Sequence, residues 1–324
     1  MKPENSLRPS KAVWVLETDV FLEGAIERLA DALVTAGHDF YWAEYAPLGA
    51  SMSRPKHYKD RGKFLADDDC VVTYGSINLV RRLLQKNPWG KSVWSPTAWM
   101  TLKNLECRTY YSMWRKHMLV KENAFVTWAM LAHDPAYYYD KFGVRTGPGP
   151  LDADLFVKPN ENLKLFTGKV VPRDGFKKFY DMETLCYDVA PETLCVVARP
   201  YHLAAEWRFV VCEGEVITGS QYRKDGRPCE EAGFDIGALE AAQRVAKDPW
   251  QPEPAYVVDI AKSGDEWGLL EIGSFNSAGL YMCDCEPIVR AISSLAKKEH
   301  DSLEDQPSPD TAPSQGDQAD PQRP

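Results

Sequence analysis

Residues 255–280, AYVVDIAKSGDEWGLLEIGSFNSAGL, carry two carboxylates and an amide at a spacing that could hold a cation. Hydrophobic alternation predicts strands over 256–261 and 268–273, and Ser263-Gly264-Asp265 between them is turn chemistry, so the segment reads as an antiparallel hairpin. Centred on Asp265, that hairpin sets Asp259 directly opposite Glu271, with Val257 and Leu269 on the same face. Opposed residues on one face have Cβ atoms roughly 4.5–5.5 Å apart, and like charges held so close destabilise a sheet. Burial makes an uncompensated carboxylate pair worse. A divalent cation answers this economically: magnesium takes oxygen ligands and shares its shell with phosphate oxygens, and the side-chain oxygen of Asn276 lies close in sequence. The plain alternative is two acids on a wet strand face, with Phe275-Asn276-Ser277 as turn residues.

A second group of candidates precedes this hairpin. DLFVKPNENLKLFTGKVV predicts a strand ending at Lys158, a polar loop containing Gly168 and a returning strand from Lys169. A lysine at a strand end supplies a point charge for a phosphate, and a glycine loop can lay N–H groups over a phosphate tail. Further on, Glu206-Trp207-Arg208-Phe209-Val210-Val211-Cys212 is a strand turning at Glu213-Gly214 into 215–222. Period two puts Glu206 and Arg208 on one face with Val210, and Trp207, Phe209 and Val211 on the other. That acid and base form either a functional pair or a simple ion pair on a sheet face.

The elements that must position these residues are mixed. Residues 11–16 form a short apolar strand, and Phe21, Leu22, Ala25, Ile26, Leu29, Ala30, Leu33 and Val34 follow helical spacing up to Gly37. Strands at 38–43 and 70–73, each followed by loop or helix, complete a small β-α-β layer reaching about residue 95. Thr18-Asp19-Val20 contains no glycine, so the dinucleotide-binding fingerprint is absent. Gly75-Ser76, between a strand and a helix, reads either as an N-cap or as N–H groups for an anion. Beyond the layer, 103–118 is predicted helical with a basic end, Arg115-Lys116-His117. Residues 124–131 are predicted strand, 135–150 loop, 176–187 helix, 194–198 a continuous apolar strand, and a last helix starts after Asp284.

Composition excludes several classes. The formal charge is −9, of which the acids beyond residue 300, set against Arg323, supply −5, so the body is only mildly acidic. No Lys/Arg stripe with interleaved aromatics appears, which argues against a nucleic-acid partner. The N-terminus lacks the apolar core of a secretory signal, no apolar run approaches a membrane span, and the expected location is the cytosol. The eight cysteines lie mostly in apolar runs, and Cys283-Asp284-Cys285 has no second pair or nearby histidine to complete a zinc shell. The tail DSLEDQPSPDTAPSQGDQADPQRP cannot build a core.

Taken in order, Lys158 on a strand end, Lys169 after a glycine loop, the strand 194–198, Glu206-x-Arg208 in a hairpin, Asp259, and Glu271 with Asn276 resemble the ATP-grasp superfamily. FVKP, EWRFVV followed by GEVITGSQY, and LLEIGSFNSAG resemble most closely its phage and bacterial clade named for one arginine and two lysines. The resemblance covers roughly residues 101 to 298 and implies an α/β (α+β) chain, an ATP-grasp fold of two subdomains clasping ATP behind a small Rossmann-like layer. The expected domains are a flexible 1–10, a pre-ATP-grasp domain 11–100, an ATP-grasp domain 101–299 and a disordered acidic tail 300–324. By the same resemblance Lys158 and Lys169 touch ATP phosphates, Cys195, Val196, Val197 and Ala198 line the adenine pocket, and Glu206 belongs to the nucleotide site. Arg208 holds phosphate or the acyl intermediate, and Asp259, Glu271 and Asn276 bind Mg2+, although the family's Glu-x-Asn pair is spread here to Glu271 and Asn276.

The activity so implied is an ATP-dependent ligase joining a carboxylate to an amine or thiol through an acyl phosphate, its substrates small molecules, peptides or proteins. The alternative is an ATP-binding regulator of the same fold without turnover. Kinases and nucleotidyl ligases fit less well, because Lys158-Pro159-Asn160 is not an adenylated Lys-x-Asp-Gly and no His-Arg-Asp or Asp-Phe-Gly triplet exists.

Overall fold

A computed structural model of the chain describes residues 11–18, 20–21, 24–46, 49–53, 69–86, 93–94, 103–145, 149, 153–161 and 165–304. The expectations for 1–10 and for the tail beyond 304 lie outside them. The first sheet comprises β1 (Val13–Glu17), β2 (Phe40–Ala46), β3 (Gly49–Ser53), β4 (Val71–Tyr74) and β5 (Val93–Trp94), in the order β3-β2-β1-β4-β5. β1 runs parallel to β2 and to β4, β4 runs parallel to β5, and only β3 is antiparallel, which is the expected β-α-β layer. Between β1 and β2 lies α1 (Ala25–Ala36), whose Ile26, Leu29, Ala30 and Leu33 are buried as their spacing requires and which ends at Gly37 in the left-handed region, φ 70°. After β4, Gly75 and Ser76 lead into α2 (Ile77–Lys86); the Ser76 hydroxyl accepts from the Leu79 N–H, so the N-cap reading holds.

Helix α3 (Cys107–Met113) is shorter than the predicted 103–118. Trp114 is buried against Trp250 and Tyr256, and the chain turns over 114–117 before Met118 bridges to Leu269, so Arg115-Lys116-His117 lies in a turn beyond the helix. The second sheet follows: β6 (Asn123–Thr127), β7 (Val144–Arg145), β8 (Ala153–Pro159), β9 (Lys169–Pro172) and β10 (Leu194–Ala198), with β10 between β6 and β8. The strand predicted to 131 stops at Thr127, whose side chain caps α4 (Trp128–His133). The loop predicted over 135–150 begins instead with α5 (Pro135–Phe142), because Asp134 accepts from the Tyr137 N–H and Pro135 pre-sets the first turn. Helix α6 (Phe176–Tyr187) spans the predicted residues and closes a core containing Trp128, Tyr139, Leu155, Val157, Phe166, Phe176, Cys195 and Val197.

The third sheet is wholly antiparallel: β11 (Ala205–Cys212), β12 (Glu215–Lys224), β13 (Arg227–Ala232), β14 (Ala255–Ser263) and β15 (Glu266–Ser274), in the order β13-β12-β11-β14-β15. Helix α7 (Ile236–Ala246), which no sequence reading covered, packs with Trp207, Phe209, Val211, Tyr256 and Val258 on one face. The other face carries Val210, Cys212, Ala255 and Val257 into a core shared with the first sheet, α1 and α8 (Cys285–Glu304). Across 279 residues, the Trp14 indole N–H donates to the Ser293 hydroxyl inside that core. Helix α8 runs through 301–304, past the predicted start of the tail. Among the described residues no helix is long and apolar enough to cross a membrane.

Two contacts tie the segment after α3 to the third sheet. The Leu269 N–H donates to the His117 carbonyl at 2.8 Å and the Leu119 N–H donates to the Leu269 carbonyl at 2.9 Å. Beside them a Cβ on Gly268 would come within 2.8 Å of Leu119 backbone atoms. Gly268→Ala is therefore expected to cost about 1–3 kcal/mol, since backbone cannot yield as a side chain can; urea unfolding checks it, and a variant as stable as the parent contradicts it. Asp248 receives Lys116 at 2.7 Å and His117 at 3.0 Å. Burial pushes its carboxyl up, but the hydrogen bonds from Lys116, His117 and the Trp250 N–H outweigh this and hold it down to about 2. A depressed carboxylate stabilises the fold above its ordinary pKa and loses that contribution as pH falls through the folded value. Asp248→Asn should cost about 1–2 kcal/mol at pH 7, discounted because Lys116 stands in solvent, and the gap from the parent should close between about pH 4 and pH 2. Denaturant unfolding across that range reads it; a gap that widens in acid refutes it.

Candidate functional site

Register builds the site. Arg208 on β11 pairs with Asp259 on β14, and Asp259 pairs with Glu271 on β15, so three adjacent strands set a basic and two acidic side chains in one row. The opposition of Asp259 and Glu271 is as predicted, but its cause differs. The turn pairs Ser263 with Glu266, which alone would set Leu270 against Asp259; a bulge at Leu270 restores Glu271 to that place. That turn register also sets Leu269, expected on the carboxylate face, against Ile260 on the opposite one, where it packs with Ile260 and Trp207.

Two cationic side chains face the carboxylates. Arg208 donates Nε to Asp259 Oδ1 at 2.8 Å and Nη2 to Oδ2 at 2.7 Å, and Nη1 to the Gly279 carbonyl at 3.1 Å. Lys158 reaches across from β8, its Nζ 3.7 Å from Glu271 Oε1. The Lys158 side chain is 11% exposed and that of Glu271 40%, so the lysine is enclosed and the acid opens to solvent. Burial disfavours the ammonium, but the Cys107 sulfur and the Glu271 carboxylate beside it more than offset this and keep it charged. Gly168 lies directly on this lysine: a Cβ there would stand 2.9 Å from the Phe156 ring and 3.1 Å from Lys158 Cβ.

The other expected residues distribute unevenly. Glu206 is buried, accepts from the Tyr222 hydroxyl at 2.7 Å and lies 3.7 Å from Arg223; burial raises its carboxyl, with Tyr222 pulling the other way. Val196 pairs with Lys158 and faces the third sheet's core, whereas Cys195 and Val197 point into the core beneath α4–α6, away from Lys158. Residues 195–198 pair with β6 on one side and β8 on the other, so both edges of that strand are occupied. Lys169 pairs in register with Val157, on the face opposite Lys158; its Nζ pairs with buried Glu183 and lies 5.9 Å from the Phe179 ring centroid. The structure therefore does not bring the two lysines together. Asn276 is buried and donates its side-chain N–H to the Thr73 carbonyl, while its own carbonyl accepts from the Gly75 N–H at 2.8 Å. Through these bonds that asparagine joins the first sheet to the third. Gly75 and Ser76 are likewise engaged, the Ser76 N–H donating to Glu17 rather than to an anion.

A cavity of about 470 Å³ opens beside the row, between the two sheets that share α8. Phe21, Ile77 and Ser76 wall it from the first sheet's side, and Arg208, Glu271 and Tyr281 from the third's. Tyr222 and Tyr281, with no assigned role in the sequence reading, stack on each other with ring centroids 4.8 Å apart and flank Arg208 at 5.6 and 5.0 Å. Alternation could not place Tyr222, because it is the extra residue of a bulge between the pairs Glu206–Arg223 and Trp207–Gln221. Asp259 and Glu271 are hard oxygen donors on one face and suit magnesium in kind. Among the described residues no cluster of three or more His, Cys, Asp or Glu completes a metal shell.

Residues 144–291 match the family model described as ATP-grasp domain, R2K clade family 2. No curated protein matches the chain by sequence. Among solved structures, the fold is similar to the D-alanine-D-alanine ligase from Coxiella burnetii at TM-score 0.60 and 12% identity, covering 92% of this chain and 97% of that one. It is also similar to D-cycloserine synthetase DcsG at TM-score 0.57 and 14% identity, covering 88% of this chain and 99% of that one. A RimK domain ATP-grasp protein from Sphaerobacter thermophilus aligns at TM-score 0.50 and 15% identity, covering 85% and 98%. The recognition made from FVKP, Glu206-x-Arg208 and LLEIGSFN stands at the level of the superfamily: the protein carries the ATP-grasp fold, and residues 144–291 are similar to the R2K-clade ATP-grasp domain.

Proposed function

We propose that this protein is an ATP-dependent ligase that joins a carboxylate to an amine or thiol through an acyl phosphate, releasing ADP and phosphate. The observation that carries this reading is the row Arg208–Asp259–Glu271, faced by Lys158 from a different sheet, at the edge of a cavity large enough for a small substrate. Lys158 supports the triphosphate end of the nucleotide, its fixed charge standing against phosphate oxygens. Val196 and Ala198 belong to the wall nearest the base, and the Gly168 loop covers the nucleotide beside Lys158, while Lys169 anchors the returning strand to Glu183. Asp259 and Glu271 would hold magnesium; when bound, it supplies neutralising charge on the phosphate oxygens. Asn276 acts at one remove, by fixing the turn after β15 against Thr73.

In the first half-reaction a substrate carboxylate oxygen attacks the γ-phosphorus, the bond to the ADP oxygen breaks, and ADP leaves. In the second, the nucleophile attacks the activated carbonyl, negative charge develops on its oxygen, and Arg208 offsets that charge until phosphate departs. The neighbouring folds named as D-alanine-D-alanine ligase and D-cycloserine synthetase support a small-molecule acceptor. A second reading, a nucleotide-binding regulator without turnover, draws on the engagement of Asn276 with Thr73, which leaves two carboxylates alone for the metal.

Calorimetric titration with ADP and Mg2+ tests the nucleotide site. Lys158→Ala should weaken binding about tenfold to a hundredfold, the worth of a hydrogen bond to a charged group; unchanged affinity removes Lys158 from the site. Mass spectrometry of cell extract incubated with ATP and the wild-type protein should reveal a product lighter than its two precursors by one water, absent with Lys158→Ala. Nucleotide binding that survives both Asp259→Asn and Glu271→Gln and needs no metal would favour the regulator.

A further inference from the structure

Arg208 engages both oxygens of Asp259, and the Tyr222 hydroxyl lies 3.3 Å from Oδ2 while donating to Glu206. The guanidinium in turn is enclosed by two rings and a strap. Tyr222 and Tyr281 stack at 10° between planes and stand within 5.6 Å of it. Tyr281 holds its backbone at φ 47°, a conformation that costs a side-chain-bearing residue energy and persists only where its surroundings over-determine it. Three donors from three elements supply that determination: the Tyr74 hydroxyl donates to the Ala278 carbonyl, Arg208 to Gly279 and Arg28 of α1 to Tyr281. A strained tyrosine fixed this firmly beside a buried ion pair points to a task beyond packing.

We propose that Tyr281 and Tyr222 are positioning residues that keep Arg208 on Asp259 until metal-bound nucleotide arrives, so that metal does not load the site by itself. Separating a buried bidentate pair is unfavourable while either charge is left uncompensated. Metal alone can compensate Asp259 but strands the guanidinium against the two rings; nucleotide with metal provides a phosphate for the guanidinium and a cation for the carboxylate together. The exchange also releases the Gly279 carbonyl, whose residue lines the cavity beside Tyr281, so nucleotide loading is felt by the acceptor space. This inference rests on the nucleotide reading of the site.

The test follows Mn2+, an oxygen-seeking substitute visible by electron paramagnetic resonance, with and without ADP. Wild-type protein should bind Mn2+ at least about tenfold more tightly with ADP than without. Tyr281→Leu and Tyr222→Leu, each verified as folded by circular dichroism, should bind Mn2+ alone about tenfold more tightly than wild type, because the guanidinium can then leave. Tyr281→Phe, which keeps the ring, should behave as wild type. A merely structural role predicts unchanged or weaker metal binding in the leucine variants, and that result overturns the inference, as does wild-type protein that takes Mn2+ equally well without ADP. If Tyr281→Leu does not fold, Tyr222→Leu reads the same question. Wild-type protein that binds no ADP with Mn2+ at all overturns the nucleotide reading and this inference with it.

Discussion

Two carboxylates, Asp259 and Glu271, stand on adjacent strands in direct register, and the chain tolerates this only because Arg208 and Lys158 each take one of them. Two unit charges about 5 Å apart repel by roughly 3 kcal/mol at an effective dielectric of about 20, several times the worth of an ordinary cross-strand pair. The alternating order of charges, plus-minus on one sheet and minus-plus across to the other, turns that repulsion into attraction. Much of the surrounding architecture reads as what is needed to hold it. Gly168 leaves room over Lys158, the bulge at Leu270 brings Glu271 into line, and the two tyrosines enclose Arg208. A cluster balanced this way is also receptive: a polyanion carrying its own cations can replace each internal partner with an external one, and no charge is left bare.

The first sheet is bound into the same arrangement. On one face it shares a core with α8 and with the Val210–Val257 face of the third sheet, and Val15, Ala43, Val71, Leu79 and Leu83 form a small core of its own. Its strand ends meet the turn after β15 through Asn276 to Thr73, Gly75 to Asn276 and Tyr74 to Ala278. The cavity beside Arg208 is consequently walled by residues more than 180 positions apart in the chain, Phe21 and Ile77 on one side and Glu271 and Tyr281 on the other. Its shape is set by the docking of two sheets.

How much of this was legible in the sequence follows from what each residue's local pattern can encode. Period-two alternation over Glu206 to Cys212 assigned both faces of β11 correctly, because that strand runs regular against β14. The pairing of Asp259 with Glu271 was foreseen, yet from a turn placed one residue off, and a bulge supplied the compensation; that error surfaced as Leu269 on the wrong face. Bulges defeat alternation wherever they occur, which is why Tyr222 stayed invisible. Helices α4 and α5 were missed although Thr127, Asp134 and Pro135 are capping signals, because aromatic-rich runs were weighed as strand and loop. The role expected for Asn276 depended on a spacing of five residues, and a 3-10 turn at Phe275–Ser277 directs that side chain into Thr73. Lys169 carried a signal for its strand but none for its face, since its position is fixed by pairing with Val157 after a loop.

The central claim is that the four charges exchange their internal partners for a nucleotide and its metal. A crystal structure of the protein with a non-hydrolysable ATP analogue and Mg2+ examines this most directly. The account predicts the triphosphate between Lys158 and the third sheet, Asp259 and Glu271 on the metal, and the Arg208 guanidinium turned from Asp259 to a phosphate. Nucleotide bound elsewhere, or bound there with both Arg208–Asp259 hydrogen bonds intact and no metal on either carboxylate, would contradict it.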